Sequence, residues 1–529
     1  MNILFVLYGD FYCKSASQVF GFANQLVRRG HSCAVAVPKK KESVATLGEP
    51  LFKAVTFDEV NAGTALFEKA AAPDIIHCWT PREIVRKFAE PLREKWRCKL
   101  AIHLDENERH LIESLLKLSA GELNALDPAQ FDKLVPDDLS HPLRHKTFVE
   151  SADGISVVMD RLKEFLGYNK PVEILWPGVD FERFKPVANQ SREKEFTGIA
   201  PDDNLLAWVD DVQWANREEV RTLYLALGAL NARGLPTKLL RAGEDFCPFL
   251  SPNEEWVRRF EIKLGRVENS AIPQILSAAD VLIQPGQDDA FNAFRLPPML
   301  PEFLAMGKPI ILGKTNLGRF VAEGGCAIVL QTGCVTELAA CAEALFNGPE
   351  LRAHLGASGQ SFARKYFNWE DSGKWMERFH RRVCGEADDP AERNPIATLA
   401  AQPVADAELP EDQAAFEQLT QMNCARWPAI VESLRTAEVR LAKMSEDGAV
   451  ARLDLETRLA ELRKTRSWRF MRFLRRWTGM LKHREEGGYF GFLKWLFNRP
   501  GATKKTYDPL EVKLLDTTDF DRSPPEKKP

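Results

Sequence analysis

A chain of 529 residues that is 45% hydrophobic and 28% charged has the composition of an ordinary globular protein with room for two or three domains, which excludes fibrous and wholly disordered classes. The formal net charge of -4 is small for this length, so no global field directs the chain to nucleic acid and no nucleic-acid partner is expected. The 10 cysteines form no Cys-x-x-Cys pair and have no histidine at metal-ligand spacing, which argues against structural zinc and for free thiols in a reducing cytosol.

The chain opens on an apolar strand over residues 3–7, without the basic leader or small-residue cleavage site of a signal peptide. The loop that follows, YGDFYCKSAS (residues 8–17), precedes a helix opening near Ser17. Gly9, Ser15 and Ser17 could receive a phosphate of donor or acceptor at that helix start, or the serines could simply cap the helix. Cys13 in the same loop is either a reactive thiol or a small packed hydrophobe. Further strands are predicted over 32–37, 75–78, 100–104 and 155–159, alternating with helical stretches as in a doubly wound parallel sheet, and 109–148 has the pattern of inserted helices. A second alternating set runs through Leu205, Leu239, Ile262, Val281, Ile310 and Ile328 to a helix over 362–383.

Within that second set, residues 292–313 are the most informative. Apolar strands over 281–285 and 308–312 bracket a stretch in which Pro297 and Pro298 suit a first helical turn and Gly307 suits a left-handed stop. A helix starting there presents free N–H groups at the carboxyl edge of a parallel sheet, and Arg295 just ahead adds a full charge. Phosphate is the natural guest. Glu302, about one turn inside, could accept hydrogen bonds from a ribose diol, so phosphate and ribose together point to a nucleotide. The alternative is an Arg295–Glu302 ion pair capping an ordinary helix.

After residue 384 the composition changes. Residues 385–412 are an Ala-, Pro- and acid-rich linker, and 413–465 carry apolar residues such as Ile430, Leu434, Leu453 and Leu459 at helical spacing, fitting a coiled coil that oligomerises or a helix packing on its own domain. The run over 463–484 contains no acid. Phe470, Phe473, Leu474 and Trp477 fall on one helical face and Arg469, Arg472, Arg475 and Arg476 on the other, so 466–500 is a basic, aromatic segment suited to the interface of an anionic membrane. RNA binding or docking on a partner helix are the alternatives. Residues 501–529 have the composition of a disordered tail, and no apolar run reaches the roughly 20 residues that span a bilayer.

Four segments resemble the family 4 glycosyltransferases of the GT-B fold, in the right order and over most of the first 384 residues. RLPPMLPEFLAMGKPIIL (295–312) is similar to the donor-site stretch and EILWPGVDFERFKP (173–186) to the hinge segment. PDIIHCW (73–79) with LAIHLDENE (100–108) and RGHSCAVAVP (29–38) are similar to amino-domain strands. The resemblance implies an α/β protein of two Rossmann-like domains facing a cleft, 1–184 on the acceptor side and 185–384 on the nucleotide-sugar side, followed by an α-helical extension. It also implies that the last helix crosses back to the amino domain and that the inserted helices face the acceptor. Glu302 would hold the donor ribose, with Arg217, Leu300, Gly265 and Gly178 around the nucleotide sugar, and His103 and Arg295 would be the catalytic residues. Transfer would be retaining, without cofactor, to a polysaccharide or lipid-linked glycan at the cytoplasmic membrane face. No metal is expected on the residues themselves, since no Asp-x-Asp motif sits at a strand end and Asp210-Asp211 and Asp288-Asp289 are the nearest imitations. The segment Ser467-Trp468-Arg469 is similar to one that trails a coiled coil in bacterial cell-surface polysaccharide glycosyltransferases; independently of that likeness, the basic and aromatic faces make Trp468, Phe473, Arg476 and Trp477 the expected membrane contacts.

The departures from the family matter as much. Phe294 stands where a sugar-contacting Glu is usual, Met299 where a Lys would approach the phosphates, and Asp210-Asp211 where Gly-Arg is usual, leaving Arg217 as a substitute cation. Two acids beside a pyrophosphate repel it unless compensated. A scaffold that has lost transfer activity and organises a polysaccharide assembly complex is therefore the second expectation.

Overall fold

Strands that are apolar along their whole length need cover on both faces, which a parallel sheet wrapped by helices provides. In the computed structural model, strands of this kind form the centre of a seven-stranded first sheet, with the shorter, more polar β3 and β7 at its edges: β1 (Asn2–Val6), β2 (Ser32–Val37), β3 (Lys53–Thr56), β4 (Ile75–Trp79), β5 (Lys99–Leu104), β6 (Gly154–Val157) and β7 (Val172–Ile174), in the order β3-β2-β1-β4-β5-β6-β7. Six form the second: β8 (Asn204–Val209), β9 (Thr237–Ala242), β10 (Glu261–Gly265), β11 (Val281–Gln284), β12 (Ile310–Gly313) and β13 (Ile328–Leu330), in the order β10-β9-β8-β11-β12-β13. All pairings are parallel, and in each sheet the order reverses beside the first strand, with Leu4 opposite both Ala34 and Ile76. The structure describes residues 1–401, apart from 127, 168–169, 187–198, 200–202, 288, 315–316, 322–324 and 388–391. The expected coiled-coil, basic aromatic and tail segments lie outside the described residues.

The two domains are tied by a crossing helix, as the resemblance implied. The helix predicted over 362–383 is two helices, Pro349–Tyr366 and Trp369–Val383, parted where the Asn368 side chain accepts from the Glu370 N–H at 2.8 Å and starts the second. That second helix packs on the Ala16–Arg28 helix of the amino domain. The Trp369 ring lies over Gly21, where a Cβ would be 2.0 Å from it, and meets Phe22 edge-on at 5.4 Å. Farther along, His380 Nε2 is 2.9 Å from His77 Nδ1, and Glu377 holds Arg29.

Three expectations need correction. The helix expected from Pro297 covers only Leu300–Ala305. The two prolines precede it in a turn closed by Leu300 N–H to the Pro297 carbonyl at 3.1 Å, although Gly307 does end it in the left-handed region at φ +65°. The linker 385–412 is not bare chain, because Pro395–Ala401 is helical and buries Ile396. There the Asn394 side chain donates to Glu173 at 2.7 Å and to the Ile174 carbonyl at 2.8 Å. Finally, β3 and β7 add strands at the two edges of the first sheet.

Candidate functional site

The carboxyl ends of both sheets open onto one cleft of about 650 Å³. Its wall includes residues just past the strands, Tyr8 after β1, Asp105 after β5, Val158 after β6, Asp211 after β8 and Arg266 after β10, together with Arg295 from the loop between β11 and the Leu300–Ala305 helix. In doubly wound folds this is where ligands bind, since loops at the carboxyl edges converge there.

Arg295 anchors the carboxyl-domain side. Its side chain is buried, lies 4.1 Å over the Phe291 ring, and donates to Glu219 at 3.1 Å and to Asn292 at 3.3 Å, with Asp210 at 3.9 Å. Glu302 is not its partner, so the simple capping pair is not formed. Lys14 of the amino domain reaches across to Asp210 at 2.8 Å. Burial opposes ionisation of Asp210, but Lys14 and then Arg295 outweigh it and hold the carboxyl below its usual range. The expected repulsion from Asp210 is thus compensated, and the Asp211 carboxylate is taken up by the Glu244 N–H at 2.9 Å. Glu219 is different: burial exceeds the pull of Arg295 and pushes it up to about 8.

On the amino-domain side, Ser15 Oγ donates to Asp105 at 2.7 Å, and burial, then the Glu106 charge, raises the Asp105 carboxyl. Among the described residues Asp105, Glu106 and Glu108 bring carboxylate oxygens within 4.8 Å of one another, the one grouping that could hold a metal ion. Arg82 donates to Glu106 at 2.7 Å and to Glu108 at 3.3 Å while lying 3.8 Å over the Tyr8 ring, so much of that charge is met from within the protein. Cys13 lines the cleft, but burial pushes its thiol up to about 11, which suits packing and not reactivity.

The remaining expected site residues separate. Ser15 lines the cleft with Arg295; Ser17 is exposed and Gly9 packs against Cys13, neither on the wall. His103 is not on the cleft either. It is fully buried, stacked on Trp79 at 3.9 Å with Nδ1 2.8 Å from Ser156 Oγ, and burial lowers it to about 3. Ser156 also meets His77 at 3.0 Å, so His103 belongs to a chain of buried polar groups running to His380 in the crossing helix. Arg217 opens the Arg217–Ala232 helix, lies 5.2 Å over Trp214 and pairs with Glu218 at 3.2 Å, leaving Trp214 itself on the wall. Leu300 is core. Gly265 takes a left-handed turn at φ +65° and accepts from the Gly243 N–H, just before Arg266. Gly178 admits the crossing helix, since a Cβ there would be 2.4 Å from the Trp369 backbone. Glu302 lies off the wall. Burial pushes it up to about 7, and its Oε2 is buried without a hydrogen-bond partner. Phe294 packs on Phe165 of the amino domain at 4.8 Å, with Arg161 5.0 Å over its ring.

Sequence reasoning missed Lys14, Asp105 and Glu219. For Glu219 a signal existed, because it continues the buried stripe Leu223, Leu227, Leu230 of its helix and a carboxylate on such a stripe needs a partner.

No family model matches the chain, and no curated protein matches it. Solved structures do. Sucrose-phosphate synthase from Thermosynechococcus elongatus superposes with a TM-score of 0.54 at 16% identity, covering 73% of this chain and 99% of that one. A glycosyltransferase from Rickettsia africae gives 0.53 at 12% identity over 73% and 99%. HepE from Anabaena, solved with UDP-glucose, gives 0.52 at 14% identity over 72% and 100%. Among the described residues no helix is long and apolar enough to cross a membrane. Two parallel doubly wound sheets facing a cleft, together with these likenesses, give the chain the fold of the GT-B glycosyltransferases.

Proposed function

We propose that the chain is a retaining, metal-independent glycosyltransferase that moves a sugar from a nucleotide-sugar donor to a polysaccharide or lipid-linked glycan at the cytoplasmic membrane face. The observation that carries this reading is the cleft itself, with Arg295 and Lys14 approaching from opposite domains at the carboxyl edges of both sheets. A diphosphate there would take over Lys14 from Asp210 and lie near Arg295, so the charge that develops on the leaving group meets cations already in place. The bond from the sugar C1 to the phosphate oxygen breaks, the bond to the acceptor oxygen forms on the same face, and the acceptor proton passes to the leaving diphosphate. No protein nucleophile enters; positioning supplies the rate. Glu302, off the cleft wall but with a buried Oε2 that has no hydrogen-bond partner, is the proposed acceptor for the ribose hydroxyls. The basic aromatic segment with Trp468, Phe473, Arg476 and Trp477 supplies the proposed membrane contact.

Glu302→Gln tests the donor site. In isothermal titration with a panel of nucleoside diphosphates the substitution should weaken binding about tenfold, the worth of a charge-assisted hydrogen bond. Wild-type affinity should also rise as pH increases through 7, where the carboxyl ionises. Unchanged affinity in the variant would refute the assignment. A second reading, an inactive scaffold, draws on Arg295 being already held by Glu219 and on Phe294 being packed against Phe165. It predicts no thermal stabilisation by any nucleotide, where saturation at a hundred times Kd should give about 2.7 kcal/mol.

A further inference from the structure

We infer that the mouth of the cleft accommodates the aliphatic part of an amphiphilic acceptor whose sugar head reaches the charged floor. Eight large hydrophobic side chains are exposed among the described residues, and three of them, Tyr12, Leu115 and Phe246, line this one cleft. Scattered exposed hydrophobics need no explanation, but convergence at one opening does. The three come from separate elements on both domains: Tyr12 from the loop after β1, Leu115 from the inserted Glu108–Leu116 helix and Phe246 from the loop after β9.

Each is held outward by ordered backbone. The Tyr12 N–H donates to Asp10 Oδ1 at 3.0 Å and the Phe246 N–H to the Val212 carbonyl at 2.9 Å, while Leu115 is helical and has Leu111 beside it on the wall one turn earlier. Phe246 is 60% exposed and Tyr12 56%, so each leaves an aromatic face in water at the opening. Deeper, the wall turns polar, with Lys14, Arg82 and Arg295 as cations and an Asp105 oxygen that is buried without a partner. An apolar rim above a floor of donors and acceptors complements a molecule with a polyhydroxylated head and a hydrocarbon segment. A wholly polar glycan would leave the rim wet. The word acceptor rests on the transferase reading; the amphiphile site does not.

The test uses the full chain and a series of methyl, hexyl and octyl glucosides below their micellar concentrations, titrated calorimetrically, with UDP titrated separately. Each fully buried methylene strengthens binding about fourfold, so octyl glucoside should bind at least tenfold more tightly than methyl glucoside. A variant carrying Tyr12→Ser, Leu115→Ser and Phe246→Ser should lose that dependence on chain length while keeping its fold, its methyl glucoside affinity and its UDP affinity. Binding elsewhere on the chain is common to both proteins and cancels. The inference is overturned by absent chain-length dependence in the wild type, by dependence that survives undiminished in the variant, or by loss of UDP binding in the variant, which would assign the rim to the donor's base. Chain-length dependence in a protein that binds no nucleoside diphosphate would leave the amphiphile site standing and remove the transferase reading.

Discussion

Gly21→Ala probes the seat of the crossing helix, on which the arrangement of the two domains depends. A methyl at position 21 would lie 2.0, 2.1 and 2.6 Å from Cη2, Cζ2 and Cζ3 of Trp369, where ordinary contacts begin near 3.4 Å. The ring must withdraw by more than 1 Å. Its own backbone is already pressed against Gly178, and its ring is in a perpendicular pair with Phe22, so withdrawal disturbs both. Overpacking of this kind costs about 1–3 kcal/mol, and losing the aromatic pair adds about 0.5–1.5 kcal/mol. Against this, alanine in a helix interior gains about 1 kcal/mol over glycine. The net expectation is a loss of about 0.5–3.5 kcal/mol, read as an earlier first transition in urea by tryptophan fluorescence. In a double-mutant cycle with Trp369→Leu, most of that loss should disappear, because the ring that must move is gone. If Gly21→Ala leaves stability unchanged or raises it, as helix propensity alone predicts, Trp369 does not seat there and the account of the crossing fails.

Glu219→Gln should flatten part of the pH dependence of stability. Since burial raises this carboxyl to about 8, the folded state keeps a proton that the unfolded chain releases near 4.5, and wild-type stability falls as pH rises through that window by about 1.4 kcal/mol per unit from this group. Thermal melts at pH 5 and 8 should show a smaller difference in the variant; an equal difference would refute it. Lys14→Ala removes the leading favourable partner of Asp210, whose carboxyl is depressed in the folded state, so the lost stability, about 1 kcal/mol given that Lys14 is partly exposed, should be full at pH 7 and shrink as pH falls through the Asp210 range. A loss that stays constant down to pH 3 would contradict the pair. Full-length protein should sediment with anionic vesicles at low salt and less at high salt, and Phe473→Ser with Trp477→Ser should release it; no sedimentation at low salt would make the segment a partner-docking helix.

The sheets were legible because buried parallel strands leave unbroken apolar runs. Residues 32–37 and 75–78 fall within β2 and β4, and Leu205, Leu239, Ile262, Val281, Ile310 and Ile328 each fall in a strand of the second sheet. The edge strands β3 and β7 were not, since KAVT and VEI are too short and too polar for periodicity to register. Arg295 could be placed on the cleft from its position after an apolar strand. Its partners could not: Glu219 lies 76 residues away in sequence, and Lys14 and Asp210 are separated by 196, distances over which only the folded topology makes neighbours. His103 could not be placed in this way. A histidine at the end of a strand has the same local signature whether it faces a ligand or a serine, and here Nδ1 meets Ser156 on the next strand while the buried Nε2 has no partner.

The helix Pro395–Ala401 lies against β7, the last strand of the amino-terminal sheet. A bare outer strand offers unpaired carbonyls and N–H groups that invite another chain to add itself to the sheet. Here the Ile174 carbonyl is already engaged by Asn394, and Ile396 is packed down beside it. The short helix therefore guards the sheet against edge-to-edge association. It also sets what a pull on this end of the helix meets first: Asn394 holds Glu173 of the amino-terminal domain, and Glu392 holds Lys374 and Arg378 of the crossing helix.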